Sequence, residues 1–124
     1  MKRQVFALTT NTAGAATSTS QGAVLGKLYA IEYRPGASGI DTGATVTVTC
    51  EADTSKPLLT KTTAGTATLW FYPRDLVHGV ADGAALTGTS GGDRALPILN
   101  GFIKVVIASG GAVKTGSLIA YIDE

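Results

Sequence analysis

An alternation of apolar and polar residues with a period of two is the feature that most constrains the fold of this chain. It is clearest over residues 44–51, where Val46, Val48 and Cys50 share one face and threonines occupy the other. Because successive side chains of a strand point to opposite faces, and β-branched residues suit a pleated surface, this segment predicts a half-buried β-strand. Cys50 lies on the apolar face, which favours a buried small hydrophobic residue over a reactive thiol.

Other parts of the chain show the same period. Four segments alternate clearly, at 25–33, 66–72, 102–108 and 117–122, and three weaker ones follow at 4–9, 15–20 and 57–61. The pattern predicts an all-β fold of about seven to eight strands. We expect residues 1–124 to form a single antiparallel β-sandwich domain or a jelly-roll-like barrel.

The connections between these strands are also indicated by the sequence. Glycine-containing turns at 11–14 and 109–112 predict two β-hairpins. Residues 73–78 begin with a proline and suggest one short helical turn. Residues 80–100 contain the run GTSGGDR and predict one long Gly-rich loop, a feature that is usually functional or serves as an interaction arm.

The composition argues against several classes of function. Ten Lys and Arg residues against nine Asp and Glu residues give a net charge of +1, and no basic run is present, so nucleic-acid binding is not expected. No apolar stretch approaches the roughly 18 residues of a transmembrane helix, so we expect no membrane partner. The basic N-terminus has too short an apolar part for a signal peptide, and we expect folding in the cytoplasm.

Catalytic, cofactor and metal sites are not indicated either. His78, Asp75, Ser90 and Asp93 supply the residue types of a Ser-His-Asp triad, but their spacing is unspecific and no nucleophile elbow is present. The Gly-rich run ends at Arg94 and lacks the Gly-Lys-Ser/Thr of a phosphate-binding loop. One histidine and one cysteine give no metal-ligand cluster. We therefore expect a non-enzymatic protein without cofactor or metal.

The aromatic run Trp70-Phe71-Tyr72 is the most informative motif. In a strand, Phe71 points to one side while Trp70 and Tyr72 point to the other, which suits a protein interface or sugar stacking if that side is exposed. The alternative is that both sides are covered within the monomer. Tyr29 and Tyr33 are predicted to share one face of another strand, and again that face is either exposed or covered within the monomer.

Several segments together resemble small virion proteins of tailed bacteriophages. They are WFYPRDLVH at 70–78, ALTGTSGGDR at 85–94, PILNG at 97–101, IKVV at 103–106, YRPG at 33–36 with DTGA at 41–44, and the ending at 114–122. The resemblance spans nearly the whole chain. It implies a capsid cement or decoration protein, with a β-sandwich or jelly-roll fold, that is assembled into the virion in the host cytoplasm.

The same resemblance implies the partners and the contact residues. The partners would be the major capsid protein and further copies of the chain, as a homo-oligomer (a dimer or trimer). The expected interface residues are Trp70, Tyr72, Arg74, Asp75, His78, Asp93 and Arg94. The alternatives are a head–tail, tail or fibre accessory protein, and a carbohydrate-binding β-sandwich module that uses Trp70 and Tyr72.

Overall fold

The chain folds into β-strands that form two antiparallel sheets and a short two-stranded ribbon, which confirms the predicted all-β sandwich. The computed structural model describes residues 1–36, 39–51, 57–76 and 94–123, and of Asp75, Leu76 and Arg94 only the backbone. No helix occurs among these residues, and so none is long and apolar enough to cross a membrane.

The first sheet has five strands. They are β1 (Lys2–Thr9), β3 (Val24–Arg34), β6 (Leu69–Phe71), β9 (Ile98–Gly101) and β11 (Thr115–Asp123), in the order β1-β11-β3-β6. Strand β3 is long enough to pair with β9 through its first half and with β6 through its second half, along the same edge.

The second sheet has four strands. They are β2 (Ala16–Thr19), β4 (Thr45–Cys50), β5 (Leu59–Lys61) and β10 (Ile103–Ala108), in the order β2-β10-β4-β5. In β4 and β10 the predicted alternation is confirmed: Val46, Val48, Ile103, Val105 and Ile107 are all buried.

The core lies between the inner faces of the two sheets. The first sheet contributes its largest buried side chains from four strands, namely Phe6, Leu8, Leu28, Ile31, Tyr33, Leu99, Leu118 and Ile122. Cys50 is buried in the same cluster, as the sequence predicted. Each large apolar side chain buried there contributes about 1.5–3 kcal/mol relative to an exposed one.

The two predicted hairpins are wrong. β1 and β2 lie in different sheets, and so do β10 and β11, so the turns at 11–14 and 109–112 cross from one sheet to the other. The two turns pack together: Gly110 N donates to Gly14 O at 2.8 Å, and the Thr10 hydroxyl donates to Gly111 O at 2.6 Å. Turn glycines thus close one end of the sandwich, whereas the sequence pattern could equally describe a hairpin.

Tyr29 and Tyr33 do not share a face of β3. The register against β11 shifts between Tyr121 and Ile122, where a β-bulge inserts one extra residue into β3. The bulge reverses the alternation within the strand, so Tyr29 is exposed and Tyr33 is completely buried.

The expected helical turn at 73–78 is also wrong over its described part. The ribbon pairs β7 (Asp75–Leu76) with β8 (Arg94–Ala95), so Asp75 and Leu76 are extended. The end of the expected 80–100 loop forms strands β8 and β9 instead. Residues 77–93, which hold the Gly-rich run, lie outside the described residues.

Candidate docking surface

The outer face of the first sheet carries most of the exposed large hydrophobic side chains in the described part of the chain. Six of the nine belong to it: Val5, Leu25, Tyr29, Trp70, Tyr72 and Ile98. Leu25 and Ile98 line an open groove of about 500 Å³ with Lys27, Asn100 and Asp123. Contiguous apolar patches are rare on monomeric proteins and mark interaction sites when they occur.

Trp70 extends over this face from one edge of the sheet. It lies in β6, opposite Glu32 of β3, and its ring stacks on that of Tyr121 with the centroids 5.3 Å apart and the planes 26° from parallel. Because β3 lies between β6 and β11, the two rings meet across β3. Trp70 remains 48% exposed, so the stack fixes the indole in place without covering it.

A second aromatic pair lies next to it. Tyr72 follows β6 directly, and its ring meets that of Tyr29 edge-on at 6.4 Å between centroids. Arg74 donates to the carbonyl oxygens of Tyr29 at 3.0 Å and Pro73 at 2.6 Å, and its guanidinium lies 5.6 Å from the Tyr29 ring centroid. These contacts orient the exposed rings through hydrogen bonds and a cation–π interaction.

We call the five residues Tyr29, Trp70, Tyr72, Arg74 and Tyr121 the aromatic surface. The Glu32 carboxylate holds Tyr121, which lies at one end of the aromatic surface. Glu32 is only 4% exposed although its side chain points to the outer face. The Tyr121 hydroxyl donates to Glu32 Oε1 at 2.9 Å, and Arg34 donates through Nε at 2.8 Å and Nη2 at 3.0 Å. The bidentate Arg34 hydrogen bond holds the pKa of Glu32 below its ordinary value of 4.5, against the opposing effect of burial.

The Glu32 carboxylate is therefore ionised at neutral pH and accepts hydrogen bonds from three donor atoms. Such a group suits a structural anchor, since a general acid needs a raised pKa and an accessible proton. Burial, and then the hydrogen bond to Glu32, also raise the pKa of the Tyr121 hydroxyl, so that hydroxyl stays protonated as the donor. The arrangement fixes Tyr121, and Tyr121 in turn supports Trp70.

The structure brings three of the seven predicted interface residues together. Trp70 and Tyr72 share one side of the strand as the alternation predicted, that side is exposed, and Arg74 lies beside them. Asp75 and Arg94 come from the two strands of the ribbon, where Asp75 pairs with Ala95 and Leu76 with Arg94.

The remaining two predicted interface residues, His78 and Asp93, lie outside the described residues, as does Ser90. Among the residues that the structure does describe, no group of three or more His, Cys, Asp or Glu side chains could hold a metal ion.

Sequence reasoning missed Glu32, Arg34 and Tyr121. Tyr121 could have been found, because it alternates with the core residues Leu118, Ala120 and Ile122 and so must point outward. Glu32 and Arg34 are two positions apart in one strand, a spacing that places opposite charges on one face. Comparisons of the chain with protein-family models, with curated proteins and with solved structures give no match.

Proposed function

We propose that this chain is a non-enzymatic structural protein of a tailed-bacteriophage virion, a cement or decoration protein that docks on the major capsid protein lattice. The resemblance of the segments at 33–36, 41–44, 70–78, 85–94, 97–101, 103–106 and 114–122 to such proteins supports it. The observation that carries the proposal is the aromatic surface, a set of exposed rings held in fixed orientations on one sheet face.

The aromatic surface has the residue types that dominate binding energy at protein interfaces, which are Trp, Tyr and Arg. Tyr29, Trp70 and Tyr72 are 42%, 48% and 58% exposed. With about 150–250 Å² per aromatic side chain, these three together expose roughly 300 Å². Leu25, Ile98 and Val5 extend the same face, which approaches the roughly 800 Å² that each partner of a standard interface buries.

Fixed side chains also reduce the entropy that docking must remove. An ordered rotamer-rich side chain costs about 0.5–1.5 kcal/mol on binding, and stacking or hydrogen bonding in the free protein avoids much of that cost. Most charged side chains exposed on this face are basic. Arg3, Lys27 and Arg34 are exposed and Arg74 is partly exposed, against one exposed acidic residue of the described strands, Asp123. The complementary lattice face should therefore be apolar at its centre and acidic at its edge.

The first test is the copy number of the protein in purified virions, measured by quantitative mass spectrometry against the major capsid protein. A ratio near one, or a simple lattice fraction, is expected for a decoration protein. A ratio of a few per cent would assign the chain to the head–tail, tail or fibre machinery instead. Absence from particles would refute both virion assignments.

The second test asks whether the aromatic surface makes the contact. Docking of Tyr72 should remove roughly 100 Å² from water, so Tyr72→Ala should weaken binding to capsids by about 2.5 kcal/mol, or roughly 70-fold. Phe102→Ala is the matched control. Phe102 is also an exposed aromatic residue, at 40%, but lies near the second sheet, and its backbone N–H donates to Glu51 whatever its side chain. Equal losses from both variants would refute docking through this surface.

A carbohydrate-binding module is the second candidate, because Trp70 and Tyr72 leave ring surface exposed on the same side of the sheet. On that assignment, Trp70→Ala would abolish binding on a glycan array while the far-UV circular dichroism stays unchanged. The protein would then also be missing from purified virions.

A further inference from the structure

Strand β1 is the longest edge strand of the two sheets in the described part of the chain. It has eight residues and, within the part of the chain that the structure describes, pairs only with β11, in unbroken register from Lys2 to Thr9. The other edge strands, β2, β5, β6 and β9, have three or four residues each. Short edges are one way in which proteins prevent association, and a long, regular edge lacks that protection.

The hydrogen-bonding pattern shows which atoms of β1 face outward. Thr10 N donates to Lys114 O at 2.8 Å, which continues the β1–β11 register by one pair. Since hydrogen-bonded residues alternate along an antiparallel strand, the even-numbered residues of β1 bond to β11. Arg3, Val5 and Ala7 therefore direct their backbone N–H and C=O groups to the open edge.

We propose that two copies of this chain associate by antiparallel pairing of β1 with β1, so that the first sheet runs through both copies. Pairing must join odd-numbered residues to odd-numbered residues, which keeps Phe6 and Leu8 on the core side in both copies. Two registers pair seven of the eight residues of β1, and we propose the one that places Val5 opposite Val5 of the second copy. It covers a half-exposed apolar side chain with its own equivalent.

The charges of β1 favour this antiparallel register. Arg3 lies opposite Ala7 of the second copy, so the two Arg3 residues are four positions apart, or about 14 Å along the strand. That separation exceeds the screening length of about 8 Å at physiological ionic strength. A parallel arrangement would instead place the basic ends of both strands side by side. The inference goes beyond the proposed function and needs no capsid.

The oligomeric state of the purified protein tests it, by sedimentation equilibrium at 10–100 μM, which is an order-of-magnitude range for a modest interface. The wild-type chain should be a dimer. Val5→Pro should be a monomer with unchanged far-UV circular dichroism, because it removes only a donor that faces the open edge. Val5→Thr keeps the N–H and should remain a dimer. A wild-type monomer, or a folded Val5→Pro dimer, would overturn the proposal.

Cross-linking decides the matter if Val5→Pro fails to fold. A hydrogen-bonded antiparallel pair has Cα atoms about 5.5 Å apart, within the range of a disulfide. Val5→Cys should therefore give a disulfide-linked dimer with oxidised glutathione. Ala7→Cys is the matched control and should not, because its two copies would lie about 14 Å apart. The native Cys50 is buried and does not interfere. Equal cross-linking of the two variants, or none at Val5→Cys, would refute the register.

Discussion

The buried hydroxyl of Tyr33 gives the sharpest prediction about stability. Tyr33 is completely buried, and its hydroxyl has no hydrogen-bond partner among the described residues. Burial also raises the pKa of this hydroxyl, so it is neutral at any ordinary pH. An unpaired buried hydroxyl destabilises the folded state by about 1–3 kcal/mol. Phenylalanine keeps the ring and its packing. The small void left by the missing hydroxyl lowers the free energy of unfolding by only about a few tenths of a kcal/mol.

We therefore expect Tyr33→Phe to raise the free energy of unfolding by about 1 kcal/mol or slightly more. For 124 residues the unfolding entropy is about 260 cal/mol/K, so the melting temperature should rise by about 4 °C per kcal/mol. Urea titration and differential scanning calorimetry measure the two quantities directly.

Tyr121→Phe is the matched control for this experiment. It makes the same chemical change, but there the hydroxyl donates to Glu32, so stability should fall. If Tyr33→Phe also lowered stability, by about 1 kcal/mol or more, the Tyr33 hydroxyl would have a partner and the reasoning would be wrong.

Two further perturbations follow from the structure. The folded-state pKa of Glu32 is below 4.5, so its ionisation stabilises the protein above that pH, and the contribution is lost as the pH falls through the folded pKa. Glu32→Gln should lower stability at pH 7 and flatten its decline in acid, as followed by urea titrations from pH 7 to 3; parallel curves would contradict this. Gly39→Ala should destabilise the folded protein by about 3 kcal/mol or more, because a Cβ there would lie 1.8 Å from Pro35 O. Gly43→Ala is the control and should be tolerated, because a Cβ there would have nothing within 4 Å. Equal melting temperatures for these two alanine variants would contradict the close approach of Gly39 to Pro35.

The sequence was sufficient where one side of a strand faces the core and the other faces solvent. The alternation over 44–51 and 103–108 predicted both the strands and their buried residues, because a slip of one residue would expose a whole apolar face. The same rule placed Trp70 and Tyr72 on the side of the strand opposite Phe71, although it left open whether that side is exposed. A period of two carries no information on which strands pair, and for this reason both hairpins were assigned wrongly.

The rest of the candidate site depends on contacts between distant parts of the chain. The bulge that turns Tyr29 outward arises from the pairing of β3 with β11, which lies some ninety positions later. The stack of Trp70 on Tyr121 requires both residues to flank β3, and nothing near either residue specifies that. Local patterns therefore identify the aromatic run and the outward direction of Tyr121, while the contacts that join Tyr121 to Trp70 and to Glu32 emerge only from the sheet order.

The two proposals have a joint geometric consequence. Antiparallel pairing of β1 with β1 places the two-fold axis perpendicular to the sheet, because Val5 points to the outer face in both copies. The aromatic surfaces of both copies would then face the same side. In the order β1-β11-β3, five strand spacings of about 4.8 Å separate the two β3 strands, or about 24 Å. A dimer of this kind carries two docking surfaces, and where a partner engages both, each contact raises the effective concentration of the other. Such a bivalent arrangement suits repeated contacts of moderate strength on a regular lattice. The dimer therefore favours a lattice over a single small ligand as the partner of the aromatic surface.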